Sequence, residues 1–197
     1  PNGWIQNTNN WPYSAAGVYS PRREDYPPYV DRNGENARGL NALRVLPDRS
    51  DFTIERLREA AYDSYLTAFA ALVPALVEAW DVLPVSSPLR EGLEEPMAEL
   101  RSWDFRWGVG SVPTSLAVYW AVALLEAIGD DARAAGVVST EFAQRQATPE
   151  QHVTALRSGV ERLTEDFGHW RTPWGEINRF QRLTGAIQQP FNDNGPS

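Results

Sequence analysis

The sequence contains no cysteine and no lysine, and it has only two histidines among its 197 residues. Without cysteine, the chain cannot form disulfides, use a thiolate nucleophile, or ligate zinc or iron–sulfur clusters through sulfur. Because His152 and His169 are the only imidazoles, a three-histidine metal site is also excluded. All positive side-chain charge comes from arginine, and the net charge of −8 argues against nucleic acid or an anionic membrane as a partner.

Long hydrophobic runs and a targeting segment are also missing. The longest nearly apolar run, 116–125, is too short to cross a bilayer, so we expect no membrane span. The chain begins Pro1-Asn2-Gly3-Trp4, without a methionine, a basic region or an apolar region, and we expect it to be a piece of a longer protein. What is present favours a folded domain: 42% of residues are hydrophobic, with eight Trp, seven Tyr and seven Phe.

Three regions differ in their residue patterns. Residues 1–50 are rich in Asn, Pro and Gly without a sustained period, which predicts an irregular segment with a short strand at Trp4 and Ile5. Residues 51–168 carry helical periodicity and predict a helical domain. Residues 169–197 predict an irregular or extended tail, with a short strand at 177–180. The fold class is therefore mainly α, with irregular or extended ends.

Five helices are predicted in the middle region: 53–62, 66–80, 88–101, 113–128 and 149–167. Pro74 interrupts the second, where it either kinks the helix or begins a new one. The segment 113–128 is apolar on nearly all sides, which is typical of a central buried helix. Thr148-Pro149-Glu150-Gln151 forms a capping box, and Gly168 ends the helix that follows it.

The sequence gives little support for the common patterns of catalytic residues. His152 lies in the first turn of a predicted helix and His169 just beyond its end, positions typical of caps or surface residues rather than of a catalytic triad. The carboxylate pairs Glu94-Glu95 and Asp130-Asp131 are adjacent in sequence and therefore predict solvated faces. Tryptophan faces can stack on sugars, but Trp80 and Trp120 have helical spacing, which favours core positions.

The segment 3–10, Gly-Trp-Ile-Gln-Asn-Thr-Asn-Asn, is different in kind. Three asparagines in four positions follow a short strand-like run, and each amide has up to four hydrogen bonds to satisfy. On residue chemistry alone, the segment predicts a strand that ends in an Asx-turn.

This segment also carries a resemblance to a known family. The pattern Gly3-x-Ile-x-Asn-x-Asn-Asn10, followed by Asp25-Tyr26-Pro27 and by Ala37-Arg38-x5-Arg44-Val45-Leu46, resembles the β-chain of the penicillin acylase family of N-terminal-nucleophile amidohydrolases. Later features occur in the family's order: the Thr53 helix, a Trp-Asp segment at 103–104, the apolar helix and Trp174-Gly175. The resemblance implies an internal fragment of the β-chain within a larger αββα fold.

The resemblance also implies two site residues, Asn9 and Arg38. In the family, the third residue of Asn-x-Asn-Asn donates its side-chain amide to the oxyanion hole, and this residue is Asn9 here. Arg38 corresponds to an arginine that lies nearby and supports the nucleophile's surroundings. The nucleophile, a Ser and sometimes Thr or Cys at the freed N-terminus of the β-chain, would lie upstream of this chain. Neutral N–H donors suit acyl transfer because negative charge develops on the carbonyl oxygen.

Further expectations follow from the resemblance. The substrate would be a small-molecule N-acyl amide, the partners would be the remaining parts of the same precursor, and the full-length protein would be periplasmic or extracellular. No cofactor is expected in this fragment. Family members often bind calcium in the full-length enzyme, and Asp25 and Asp31 are the nearby carboxylates. Exposed strand edges would allow the fragment to self-associate.

Two other function classes are consistent with the composition. A helical interaction or scaffold module would explain the helices but not the asparagine cluster. A sugar-binding or glycosidase module would rest on the aromatic residues.

Overall fold

A computed structural model describes residues 2–30, 35–47, 49 and 51–179. Within these residues the chain is mainly α-helical and contains no strand, which confirms the predicted fold class. The α-helices are α1 Ala37–Val45, α2 Ile54–Ala61, α3 Thr67–Val82, α4 Glu94–Arg101, α5 Val112–Ala127, α6 Gly129–Ala135, α7 Ser139–Arg145, α8 Pro149–Phe167 and α9 Trp174–Ile177. Short 3-10 turns occur at Pro12–Ser14, Gly17–Tyr19, Arg23–Asp25 and Pro88–Arg90.

The chain forms two compact units, Pro1–Ala68 and Phe69–Ser197. Helix α2, which the sequence analysis grouped with the helical region 51–168, belongs to the first unit together with α1. Most of the described residues among 2–30 lie outside any helix or strand and are connected by turns and side-chain hydrogen bonds.

Helix α1 begins at a side-chain cap. The Asn36 side-chain oxygen accepts a hydrogen bond from Gly39 N at 2.9 Å, which satisfies one of the free N–H groups at the start of the helix. The Thr67 hydroxyl donates to the carbonyl of Ala37 at 2.6 Å, so the first turn of α1 is also connected to the start of α3. The Asn36 cap marks where α1 begins, and the Thr67 contact attaches that first turn to residue 67.

The second unit has an apolar core, and α5 and α8 form its most extensive helix pair among the described residues. Trp120 on α5 is fully buried, and its indole Nε1 donates to the His152 carbonyl on α8 at 3.2 Å. Gly159 on α8 allows the close approach: a Cβ there would lie 2.9 Å from Trp120 N and 3.1 Å from the Tyr119 carbonyl carbon. The two backbones therefore pack closer than any larger residue at 159 would allow.

The capping box of α8 is confirmed. Thr148 Oγ1 accepts from Gln151 N at 3.2 Å, and the Gln151 side-chain oxygen accepts from Thr148 N at 2.8 Å. Gly168 ends the helix in the left-handed region at φ +84°, as the sequence predicted. The apolar segment predicted at 113–128 is also confirmed as a core helix, α5, with one face buried from Thr114 to Leu124.

The predicted helix 88–101 is wrong in its first half. Pro88–Arg90 forms a 3-10 turn capped by Ser87, and α4 starts only at Glu94. Gly92, with φ +74°, separates the two because a left-handed residue cannot continue an α-helix. Pro74 begins no new helix, since α3 is continuous through it.

Both strand predictions and part of the tail prediction are wrong for the described residues. Residues 4 and 5 form no strand, and the backbone N–H of the next residue, Gln6, donates to the Ala15 carbonyl in a loop. Segment 1–50 contains helix α1, which the sequence analysis did not predict. Ile177 ends the short helix α9 rather than beginning a strand, and Phe180 lies outside the described residues.

Helices α6 and α7 were not predicted from the sequence. They are seven residues each, separated by Gly136 at φ +70°, and too short for a clear periodic pattern. Among the described residues no single helix has the length and apolar character to cross a membrane; α5 and α6 meet that test only as a pair bent by 56°.

Candidate functional site

The asparagine motif adopts a turn in which Asn9 is exposed. Asn9 has φ +60°, a left-handed conformation that asparagine adopts more readily than most residues. The Asn7 side-chain oxygen accepts a hydrogen bond from Asn9 N at 2.8 Å, which is the Asx-turn expected from the sequence. Asn9 and Asn7 are exposed, whereas Thr8 and Asn10 between and beyond them are partly buried.

Arg38 contacts Asn9 directly. Its Nη1 donates to the side-chain oxygen of Asn9 at 3.2 Å, and its Nη2 donates to the Thr8 carbonyl at 2.8 Å. Because a guanidinium only donates hydrogen bonds, the amide oxygen of Asn9 has to point toward Arg38 and the NH2 group has to point away. Within the described part of the chain, that NH2 group has no hydrogen-bond partner.

Asn36 reinforces the same turn. Its side-chain nitrogen donates to the Thr8 carbonyl at 2.9 Å, while its side-chain oxygen caps helix α1. The side-chain nitrogen and oxygen of Asn36 are therefore both in use. The Thr8 carbonyl accepts from two donors, Asn36 at the cap of α1 and Arg38 in its first turn. The start of α1 and the turn around Asn9 form one hydrogen-bonded structure.

Glu35 anchors the other side of Asn9. Its Oε1 accepts from the Asn10 side-chain nitrogen and from Asn36 N, the latter at 3.0 Å, and its Oε2 accepts from the Ser14 hydroxyl. The Thr8 hydroxyl also donates to the Asn10 side-chain oxygen at 2.9 Å. Both neighbours of Asn9 in the sequence are thus bonded to the segment 35–38, and Asn9 itself is bonded to Arg38 of that segment through its side-chain oxygen.

The structure therefore brings together the two residues singled out from the sequence, although they are 29 positions apart. Three further residues of this hydrogen-bonded structure, Glu35, Asn36 and Thr8, were not predicted from the sequence. Asn36 could have been identified as an N-cap, because asparagine is favoured directly before a helix and the helical residue Ala37 follows it. Nothing in the sequence identifies Glu35, because its partners Asn10 and Ser14 are more than 20 positions away in the chain.

The other candidates lie apart from this turn. His152 is buried in the second unit, stacked on Trp120 with ring centroids 5.9 Å apart, so its predicted position as a cap or surface residue is wrong. Burial lowers the pKa of His152, an effect partly offset by a hydrogen bond with the Ala143 backbone. His169 is exposed, as predicted.

The predicted solvated carboxylates and core tryptophans are confirmed. Asp130 forms an exposed pair with Arg133, and Glu95 one with Arg171 at 3.0 Å. Trp80 and Trp120 are buried in the second unit, so neither offers a face to a sugar.

The carboxylates named for calcium were Asp25 and Asp31. Among the described residues, no group of three or more carboxylates or imidazoles is placed to hold a metal ion. Asp25 instead accepts a hydrogen bond from Arg22 at 3.0 Å, and Asp31 lies outside the described residues.

Comparison with known protein families finds a match. Residues 1–196 match the family model of penicillin amidase, essentially the whole chain. The chain belongs to the penicillin amidase family. No curated protein sequence matches it significantly. Because this family is one of hydrolases, the chain is part of an acylase-like hydrolase, and membership favours that class over a scaffold or sugar-binding module.

Proposed function

We propose that the chain forms part of the oxyanion hole of an enzyme that cleaves small-molecule N-acyl amides through an acyl-enzyme. Asn9 donates its side-chain N–H to the carbonyl oxygen as negative charge develops there. Arg38 orients Asn9. The nucleophile, the rest of the binding pocket and any calcium ion come from other parts of the precursor, and the mature enzyme acts in the periplasm or outside the cell.

The contact between Arg38 Nη1 and the Asn9 oxygen carries this proposal. It leaves the amide NH2 group pointing outward with no partner among the described residues, ready to bind an acceptor. A guanidinium on the oxygen side polarises the amide, which makes its N–H groups better donors. A fixed neutral donor of this kind stabilises an oxyanion by about 3–4 kcal/mol without needing to reorganise.

A second support is the left-handed turn at Asn9. Its conformation is set by the Asn7 side chain and by the double acceptor at the Thr8 carbonyl, so the amide is held before substrate arrives. Donors that are fixed in advance stabilise the transition state more than donors that have to move into place.

The test is Asn9→Ala in the intact, processed enzyme, assayed on chromogenic phenylacetyl and fatty-acyl anilides. We expect kcat to fall about 10²–10³-fold with little change in KM, because the lost bond strengthens mainly in the transition state. Asn9→Asp should lose as much or more, since a carboxylate of nearly the same shape has no N–H to donate and repels the oxyanion. Mass spectrometry must show that the mature chains have formed, because precursors of this family cleave themselves with the same groups.

Asn41→Ala is the matched control. Asn41 is another asparagine of the first unit whose side-chain oxygen accepts from an arginine, Arg44 Nε at 3.2 Å. It lies within α1, and its side chain takes part in none of the hydrogen bonds that hold the turn around Asn9. Near wild-type kcat in processed Asn9→Ala would remove Asn9 from the mechanism.

A further inference from the structure

The Glu35 carboxylate receives three hydrogen bonds from three different places in the chain. The donors are the Asn10 side chain next to Asn9, the Ser14 hydroxyl in the first 3-10 turn, and the backbone N–H of Asn36. Ionised carboxylates only accept hydrogen bonds, so a single Glu can gather donors that would otherwise be unconnected. Glu35 thereby connects the Asn motif, the loop after it and the start of α1.

These contacts bear on Asn9 although Glu35 does not touch it. On one side of Asn9, the Thr8 carbonyl is bonded to Arg38 and Asn36; on the other, Asn10 is bonded to Glu35. A residue at φ +60° between two anchored neighbours has little freedom to turn its side chain away. Without the Glu35 contact, Asn10 would keep only the bond from the Thr8 hydroxyl, and the segment after Asn9 would lose its attachment to the start of α1.

We propose that Glu35 is a positioning residue, which holds Asn9 in the orientation that an oxyanion donor requires. This inference rests on the proposed function. A donor has to lie within about 2.7–3.1 Å of the developing oxyanion, and misplacement by about 1 Å lowers a rate by about 10²-fold. Glu35 acts through Asn10 and the turn, not on the substrate.

A substitution at Gly39 would displace the Glu35 side chain without changing Glu35 itself. A Cβ at Gly39 would overlap the Glu35 carboxylate and lie 3.0 Å from the Thr8 hydroxyl, while nothing in the backbone conformation of this helical residue requires glycine. Alanine favours a helix over glycine, so Gly39→Ala would leave α1 intact. It would force the flexible Glu35 side chain out of its place without removing it.

The experiment measures kcat and KM for Glu35→Ala, Glu35→Gln, Gly39→Ala and the double variant Glu35→Ala/Gly39→Ala, in the intact processed enzyme with mature chains confirmed by mass. We expect Glu35→Ala to lower kcat about 10- to 100-fold with KM changed less than about threefold. Glu35→Gln should recover part of the loss, because its oxygen still accepts from Asn10 and the Ser14 hydroxyl can turn to accept from its NH2 group. Gly39→Ala should lower kcat in the wild type but have no further effect once Glu35 is alanine.

Asp51→Ala is the control, since it removes another carboxylate of the first unit that pairs with an arginine, Arg56. It should leave kcat unchanged. If Glu35→Ala fails to fold or process, kcat of Glu35→Gln and of Gly39→Ala tests the role of Glu35 instead, because both variants conserve most of the local volume.

The outcomes separate the two proposals. The role of Glu35 would be overturned by near wild-type kcat in Glu35→Ala, or by a Gly39→Ala effect that stays the same when Glu35 is alanine. If Asn9→Ala still lowered kcat strongly in that case, the proposed function would stand. A wild-type enzyme without amidase activity, or an active Asn9→Ala variant, would remove the proposed function and the positioning role together.

Discussion

The two units of the chain are stabilised by different kinds of interaction. In the second unit, side chains such as Trp120, Leu116 and Leu156 are fully buried between helices. In the first, only Gly39 and Ala60 are buried among the described residues, and large apolar side chains such as Ile5 and Ile54 are 79% and 84% exposed. Its structure depends instead on hydrogen bonds of Asn, Glu, Arg and Ser side chains.

This difference has consequences for function. Hydrogen bonds fix directions, whereas apolar burial supplies most of the free energy of folding. A unit rich in directed polar contacts can hold an amide such as that of Asn9 in one orientation, but it buries too little apolar surface to be very stable alone. The exposed apolar side chains of the first unit would suit contact with the other parts of the proposed enzyme.

Hydrogen exchange on the 197-residue chain should show the largest contrast. We expect amides of 116–124 in α5 to exchange at least about a thousandfold more slowly than those of residues 2–30, because opening the core requires much of the global free energy of unfolding. Equal protection in the two stretches would contradict the comparison, unless sedimentation shows that the chain self-associates and covers the first unit.

Trp120→Ala should destabilise the second unit by about 3–5 kcal/mol, because it leaves a large cavity between α5 and α8. Trp11→Ala in the first unit is the matched change, and we expect well under 1 kcal/mol since that side chain is 46% exposed. Urea unfolding followed by far-UV circular dichroism measures both. Similar losses would mean that the first unit also depends on apolar packing.

Gly159→Ala should cost about 1–3 kcal/mol, because its Cβ would press on the Trp120 backbone and separate the two helices. Gly129→Ala, where a Cβ would meet nothing within 4 Å, is the control and should be neutral or stabilising. A neutral Gly159→Ala would show that α5 and α8 can move apart freely.

The smallest effect concerns pH and His152. Burial lowers the pKa of His152 in the folded state below the value of about 6.5 in the unfolded state, so the unfolded state binds the proton first as pH falls. Stability should therefore be unaffected by this residue above pH 6.5 and should decrease below it, by at most about 1.4 kcal/mol per pH unit. Urea unfolding between pH 7.5 and 5.5 should show this slope in the wild type and in His169→Gln. The same slope in His152→Gln would assign it to other groups.

Local signals in the sequence were enough for several elements. The structure contains three such elements: the capping box at Thr148, the N-cap at Thr53 and the left-handed Gly168. Each depends only on residues within one or two helical turns of it. The apolar segment that became α5 was equally recognisable, because its burial follows from its composition. Residue types at short spacing also identified the Asx-turn at Asn7.

Other features depended on residues far apart in the chain. The strand predicted at Trp4 and Ile5 has no partner strand among the described residues. His152 of α8 is buried where Trp120 of α5 stacks on its ring. Both outcomes depend on which elements meet, which no local pattern encodes.

The candidate site divides in the same way. The sequence by itself determined the residue types, an exposed asparagine in a turn and an arginine 29 positions later, and through the family resemblance it indicated what they could do. Only the tertiary structure decided that Arg38 donates to the oxygen of Asn9 and that Glu35 gathers Asn10, Ser14 and Asn36. The physical reason is that a hydrogen bond requires two groups within about 3 Å, and the distance across 25 or 29 residues is set by the path of the whole loop between them.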